Sequence, residues 1–189
     1  MESFELPKNQ EEVPVTEPSP EDAHSIREVE YKTWKETYPS EESGITEEDI
    51  DWYFNDYKKS FSEKSIEKTE KELESLPENQ HVLIAKDEEG NTVGYAWLME
   101  NDDNNEVGAL YVLPEYQGKR VGSRLLEEAE KFFNKNKDTI LTVAEHNKNA
   151  ISFYEHKGFV DTGERRSLLT FPSGAEFKEI VMKSSRSDG

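Results

Sequence analysis

The stretch Leu110-Tyr111-Val112-Leu113-Pro114-Glu115-Tyr116-Gln117-Gly118-Lys119-Arg120-Val121-Gly122-Ser123 holds the residue types that can bind a phosphorylated ligand. A strand ends at Val112, Pro114 breaks it, and a glycine-containing turn opens directly into an amphipathic helix. Such a turn aims several backbone N–H groups at one point, and the helix dipole adds positive potential there, so a pyrophosphate is a natural occupant. Lys119 and Arg120 would add side-chain charge, and Gly122 would let the ligand come close to the backbone. The spacing is neither GxGxxG after a strand nor GxxxxGK[ST], which speaks against a Rossmann site and a P-loop. Taken alone, the stretch is equally well explained as an ordinary strand-to-helix connection.

The elements that must position this turn can be read on both sides of it. Ser19-Pro20-Glu21-Asp22 is a helix start, after which Ala23, Ile26, Val29, Thr33, Trp34 and Thr37 share a face until Pro39. Thr46 caps a second helix with Ile50, Tyr53, Phe54 and Tyr57 on its inner side. Residues 62–76 read as a charged, solvated helix keeping Ile66, Leu73 and Leu76 on one side. Residues 81–85, 92–99 and 106–112 read as an antiparallel meander, and 13–16 as a short edge strand. A helix from Gly118 to about Asn134 follows, then a buried strand over 139–144 and a helix over 147–157 that stops at Gly158. Strands over 159–164, 166–171 and 176–182 complete the chain. The expectation is a mixed α/β fold, a mostly antiparallel twisted sheet of about seven strands flanked by helices. Residues 12–183 read as one domain, 1–11 as a flexible lead-in and 184–189 as a flexible tail.

The chain has 189 residues, no cysteine and four scattered histidines, so disulfides, thiol chemistry and a metal site have no support. The net charge of −19 argues against nucleic acid and would favour cationic partners, although charge spread over the whole chain also serves solubility. The first ten residues do not read as a signal peptide, and no apolar run is long enough to span a membrane, so the cytoplasm is the expected location.

A second stretch, Asn147-Lys148-Asn149-Ala150-Ile151-Ser152-Phe153-Tyr154-Glu155-His156-Lys157-Gly158-Phe159, follows the next strand. Together the two stretches resemble the GNAT superfamily of acyl-CoA N-acyltransferases. That family's first signature, Q/R-x-x-G-x-G/A, opens five residues after the last β-branched residue of a strand, as Gln117 does after Val112. Its second, N-x-x-A-x-x-F-Y-x-x-x-G-F, is matched at each fixed position from Asn147 to Phe159. The likeness covers Val82 to Met182, and the first eighty residues agree only in their order of elements. One position departs, since Arg120 stands where the signature has its first glycine; an ordinary helical φ is expected there.

The resemblance implies direct acetyl transfer from acetyl-CoA to an amine, with no metal. The donor would lie where the strand ending at Val112 splays from the strand over 139–144. Backbone groups of Leu110, Tyr111 and Val112 would pair with the pantetheine arm, and the Val112 N–H would serve as oxyanion donor. Gln117, Gly118, Lys119, Arg120, Val121, Gly122 and Ser123 would hold the pyrophosphate. Asn147 and Asn149 would touch the CoA arm, Asn147 being equally suited to cap its helix. Tyr154 would protonate the leaving thiolate, with a core aromatic as the other reading. Glu106 would be the base, directly or through water, or else a surface charge beside a turn. Trp34, Tyr38, Trp52 and Tyr53 would wall the acceptor site beneath the acids Glu41, Glu42, Glu47, Glu48 and Asp49. Because Trp34 to Tyr38 is similar to a helix of spermidine/spermine acetyltransferases, a polyamine or other small cationic amine is the expected acceptor. A protein N-terminus or lysine competes with it, as does a non-catalytic CoA sensor. A homodimer is compatible with the resemblance.

Overall fold

The computed structural model describes residues 13–185. The expected lead-in over 1–11 and the last four residues of the expected tail lie outside that range; Ser184, assigned to the tail, instead pairs with Thr139 as the last residue of a strand. In chain order the elements are β1 (Val15–Thr16), α1 (Ala23–Thr37), α2 (Glu47–Asp51), α3 (Glu63–Glu74), β2 (Gln80–Lys86), β3 (Thr92–Glu100), β4 (Asn104–Val112), α4 (Val121–Ala129), β5 (Asp138–Ala144), α5 (Lys148–His156), β6 (Val160–Thr170) and β7 (Glu176–Ser184). The sheet has seven strands in the order β1-β2-β3-β4-β5-β7-β6. Its neighbours pair antiparallel except β4 and β5, which run parallel.

The core forms on both faces of this sheet. Val121, Leu125, Leu126 and Ala129 of α4 pack on the face that carries Leu83, Ala96, Leu98 and Val107, while Ile26 and Val29 of α1 cover the other. A second cluster joins Trp34 and Tyr38 of α1 to Ile50, Tyr53 and Phe54 and, across the sheet, to Ala144, Phe171 and Phe177. The apolar face expected for the first helix is the one buried.

Four expectations change in detail. The second helix passes after Asp51 into a π-helical turn over Trp52–Tyr57, with Lys58 N–H bonded to the Tyr53 carbonyl. This i→i+5 spacing rotates Tyr57 off the inner face, and it is 59 % exposed. α3 is more than a solvated helix, because its buried Thr69 receives a hydrogen bond from Arg27 Nη2 at 3.0 Å and ties it to α1. The helix expected from Gly118 begins three residues later, because Gly118 and Arg120 are left-handed, and its regular part ends at Ala129. The strands expected over 159–164 and 166–171 are one strand, β6, whose pairing slips between Asp161 and Arg165 around Gly163 at φ +84°.

Candidate active site

The site begins at a fork in the sheet. β4 and β5 pair only from Asn104↔Asp138 to Val107↔Leu141. Beyond that β5 continues against β7 alone, to Ala144↔Glu179, while β4 continues against β3 alone, to Val112↔Gly94. The cause is a bulge. Pairing on β3 passes from Leu98↔Val107 to Trp97↔Ala109, which leaves Gly108 as an extra residue that turns β4 away. A Cβ at Gly108 would stand 2.8 Å from Met99 Cε, so glycine fits where another residue would push that side chain aside.

The open edge of β4 offers backbone groups to whatever enters the fork. Leu113 N–H donates to Val93 C=O at 2.9 Å, so residues 113 and 111 bond to β3 and, by the alternation of an antiparallel ladder, Leu110 and Val112 face the other way. The Val112 carbonyl accepts from Gln117 Nε2 at 3.1 Å and from Thr33 Oγ1 at 3.4 Å. Its N–H points into the fork from the same peptide edge.

The turn after β4 is built by a 3-10 turn over Pro114–Tyr116 and by two left-handed residues, Gly118 at φ +73° and Arg120 at φ +67°. The ordinary helical φ expected for Arg120 is therefore wrong. The signature's glycine belongs at a position that needs positive φ, and arginine occupies the same conformation at a cost of about 1–2 kcal/mol. The first helical bond of α4 runs from Arg124 N–H to Arg120 C=O at 2.9 Å, so Val121, Gly122 and Ser123 have N–H groups with no intrahelical acceptor. Lys119 and Arg120 are exposed, and Lys119 Nζ lies 5.0 Å from the centre of the Tyr116 ring. Gln117 spends its side-chain amide on Val112, which leaves its role one of shaping the turn. A Cβ at Gly122 would stand 3.7 Å from Val112 Cγ2 and from the Phe153 ring, between β4 and α5.

α5 closes the other side of the fork. Asn147 is its N-cap, its Oδ1 accepting from Ala150 N–H at 3.0 Å, and Asn149 is exposed beside it. Tyr154 is only 7 % exposed and touches Phe153 and Phe159 edge-on at 5.1 and 5.8 Å. Burial pushes its phenol well above the ordinary value, so it holds its proton at neutral pH. Glu106 lies at the base of the fork, opposite Ile140, with its carboxylate accepting from Asn101 Nδ2 at 2.9 Å.

The four aromatic residues expected to wall an acceptor site come together in one cluster, three of them buried and Trp52 at its edge. Trp34 stacks on Tyr53 at 4.8 Å and on Phe177 at 4.9 Å, and Tyr38 meets Trp34 and Phe177 edge-on. Trp34, Tyr38 and Tyr53 are packed core, 3 %, 6 % and 7 % exposed, and contribute no open wall. Trp52 packs at the edge of the same cluster, stacking on Tyr57 at 5.2 Å, which in turn stacks on Tyr53 at 5.9 Å. Burial raises the phenol of Tyr38, aided by the neighbouring Tyr154 and Glu179, and lifts that of Tyr53 to about 12. Of the acids expected at the rim, Asp49 is buried and structural. Its carboxylate takes Thr46 N–H at 3.1 Å, Ser173 Oγ at 2.7 Å and Ser173 N–H at 3.2 Å, binding α2 to the β6–β7 turn.

Three polar residues near this cluster were not singled out from the sequence. Burial raises the carboxyl of Glu179 on β7, and likewise that of Glu30 on α1 despite Arg27 at 3.2 Å. Burial lowers His146, which meets Tyr38 edge-on at 5.6 Å and has a buried Nε2 without a hydrogen-bond partner among the described residues. The signal for Glu179 was in the alternation of β7, which puts it on the same face as the buried Phe177. Among the described residues no group of three or more His, Asp or Glu side chains could hold a metal ion. No described helix is long and apolar enough to cross a membrane.

Comparison with known proteins agrees with this geometry. The chain is 29 % identical over 143 residues to a spermidine N(1)-acetyltransferase of Thermoplasma acidophilum, covering 74 % of this chain and 83 % of that protein. The solved PaiA N-acetyltransferase of Thermoplasma acidophilum in complex with coenzyme A superposes with a TM-score of 0.68 at 24 % identity, over 92 % of this chain and 99 % of that one. The ribosomal-protein-S18-alanine N-acetyltransferase of Escherichia coli shares the fold with a TM-score of 0.60 at 19 % identity, over 94 % of this chain and 96 % of that one. The model of the acetyltransferase (GNAT) family matches residues 24–159, more than half of the chain. The forked sheet, the left-handed turn and this match together make the chain a member of the GNAT family of acetyltransferases, and so an acyltransferase.

Proposed function

We propose that this protein transfers acetyl from acetyl-CoA directly to a primary amine, with a polyamine or other small cationic amine as acceptor. The observation that carries the donor half is the β4–β5 fork, into which the Leu110 and Val112 N–H groups point and onto which the free N–H groups of Val121, Gly122 and Ser123 open. The fork would take the pantetheine arm against β4, and the turn would take the pyrophosphate. Lys119 and Arg120 stand at the rim to meet its charge.

The amine nitrogen attacks the thioester carbonyl, forming the C–N bond as the carbonyl oxygen becomes an oxyanion. The Val112 N–H is set to stabilise that charge. Collapse breaks the C–S bond, and the thiolate takes the Tyr154 proton, while the amine proton leaves to Glu106 or to water. A phenol raised by burial would not protonate a solvated thiolate of pKa about 8.5. The same burial desolvates the leaving sulfur and raises its affinity for the proton, which keeps the transfer matched.

The acceptor half rests on the acidity of the chain and on the spermidine acetyltransferase among its relatives. A protein N-terminus is the competing acceptor, the fold being shared with an enzyme named for ribosomal protein S18. The test is CoA release from acetyl-CoA against spermidine, amino acids, aminoglycosides and peptides with free N-termini. Release with spermidine well above the peptides supports the proposal, and release with peptides alone contradicts its acceptor half.

A further inference from the structure

Glu179 sits on β7 opposite Ala144, the last residue of β5, and opposite Arg166 of β6. It shares the face of Phe177, which stacks on Trp34, so it lies beneath α1 on the arm of the fork that β4 has left. Its carboxylate is half-buried and has one long hydrogen bond, from Thr142 Oγ1 at 3.4 Å. Among the described residues no lysine or arginine closes a salt bridge to it. Arg166, its cross-strand partner, is bonded to Glu164 at 2.7 Å. The groups coupled to its charge are the Arg166 guanidinium on β6, which favours its ionised form, and the hydroxyls of Tyr38 on α1 and of Tyr53 on the π-helical turn; Tyr38 in turn senses Tyr154. Glu30 differs, being already paired with Arg27.

A carboxylate drawn half out of water, with Arg166 acting on it only at a distance and no ion pair closed among the described residues, either gains a proton or is stabilised by a cation that joins it. We infer that Glu179 receives an ammonium group of the acceptor and selects amines that carry a second positive charge beside the nitrogen to be acetylated. This rests on the acetyl-transfer reading above. The charge it binds is the non-reacting one, because a carboxylate that holds an ammonium keeps the proton on it, whereas the attacking nitrogen must be neutral. Tyr38 and Tyr53, both protonated and both sensing the same acid's charge, are its buried neighbours beneath that subsite. The predicted acceptor class is therefore a diamine or polyamine, with Glu179 a specificity-determining residue.

The experiment compares the wild-type chain with Glu179→Gln and Glu179→Asp, using 1,4-diaminobutane and butylamine as acceptors. Glu179→Gln should raise KM for the diamine about 10- to 100-fold, the range of one charge-assisted hydrogen bond. It should leave kcat, KM for acetyl-CoA and KM for butylamine within about twofold, and Glu179→Asp should fall between. The wild-type diamine KM should also rise on acidification through the carboxyl's raised pKa, and that rise should vanish in Glu179→Gln. Equal effects on both amines, or no effect on either, would overturn the inference while leaving acetyl transfer intact. A wild-type chain that releases no CoA with any amine would remove the underlying reading and the inference with it.

Discussion

Arg120 is the position where backbone conformation and ligand charge can be separated. It is a non-glycine residue at φ +67° and ψ 1°, exposed, at the cap of α4. Holding an L-residue there costs about 1–2 kcal/mol. Glycine removes that cost and adds about 0.5–1 kcal/mol of unfolded-state entropy, so Arg120→Gly should stabilise the fold by up to about 1 kcal/mol. Alanine keeps the strain, so Arg120→Gly should exceed Arg120→Ala by about 1 kcal/mol, or about 2–4 °C in Tm for a chain of this size. Both variants lose the same cation, and both should weaken CoA binding about two- to fivefold, as expected for one exposed charge facing phosphate. The assays are urea unfolding and calorimetric CoA binding on the three proteins. Equal stability of the glycine and alanine variants would refute the strain, and a CoA affinity that differs between them would refute the assignment of the side chain to charge alone.

Other perturbations follow from the same contacts. Tyr154→Phe should lower kcat about 10²-fold or more while CoA affinity measured by calorimetry stays within twofold. Gly122→Val would push two methyl groups into the gap between Val112 and Phe153, and should weaken CoA binding at least tenfold in titration, at a stability cost of about 1–3 kcal/mol in urea unfolding. Asp49→Ala should cost about 1–3 kcal/mol in urea unfolding, because it strands the Ser173 and Thr46 donors. Burial raises the Asp49 carboxyl, but the bonds from Ser173 and Thr46 outweigh it and hold the group below its ordinary 3.8. A lowered folded pKa gives a stability contribution that is complete above the ordinary carboxylate value and is lost as pH falls through the lowered one. The acid limb of a stability-versus-pH curve should therefore flatten in Asp49→Asn.

Much of the donor side was legible because its residues obey local rules. Pro114 ends a strand, Asn147 caps a helix and Gly158 stops one, and each does so in the structure. The positive φ at Arg120 was not legible, because an arginine gives no hint of a conformation that only its neighbours impose. The fork was placed between the correct strands, yet its cause at Gly108 was missed, since a single glycine in a strand does not say which partner it slips against. The acceptor side depends on contacts distant in sequence. Asp49 was grouped with surface acids, but its partner Ser173 lies on the far hairpin. Tyr57 was put inside by a 3.6-residue period that the π-helical turn breaks. Glu179 carries its signal only when β7 is aligned with Phe177 on the buried face.

We propose that the fork delivers acetyl from acetyl-CoA to a polyamine nitrogen. This transfer is tested most directly by incubating the protein with acetyl-CoA and spermidine and following both products by mass spectrometry. One N-acetylated spermidine should form for each CoA released, with formation abolished when either substrate is omitted. CoA release without an acetylated amine, or acetyl-CoA binding without any release, would contradict it.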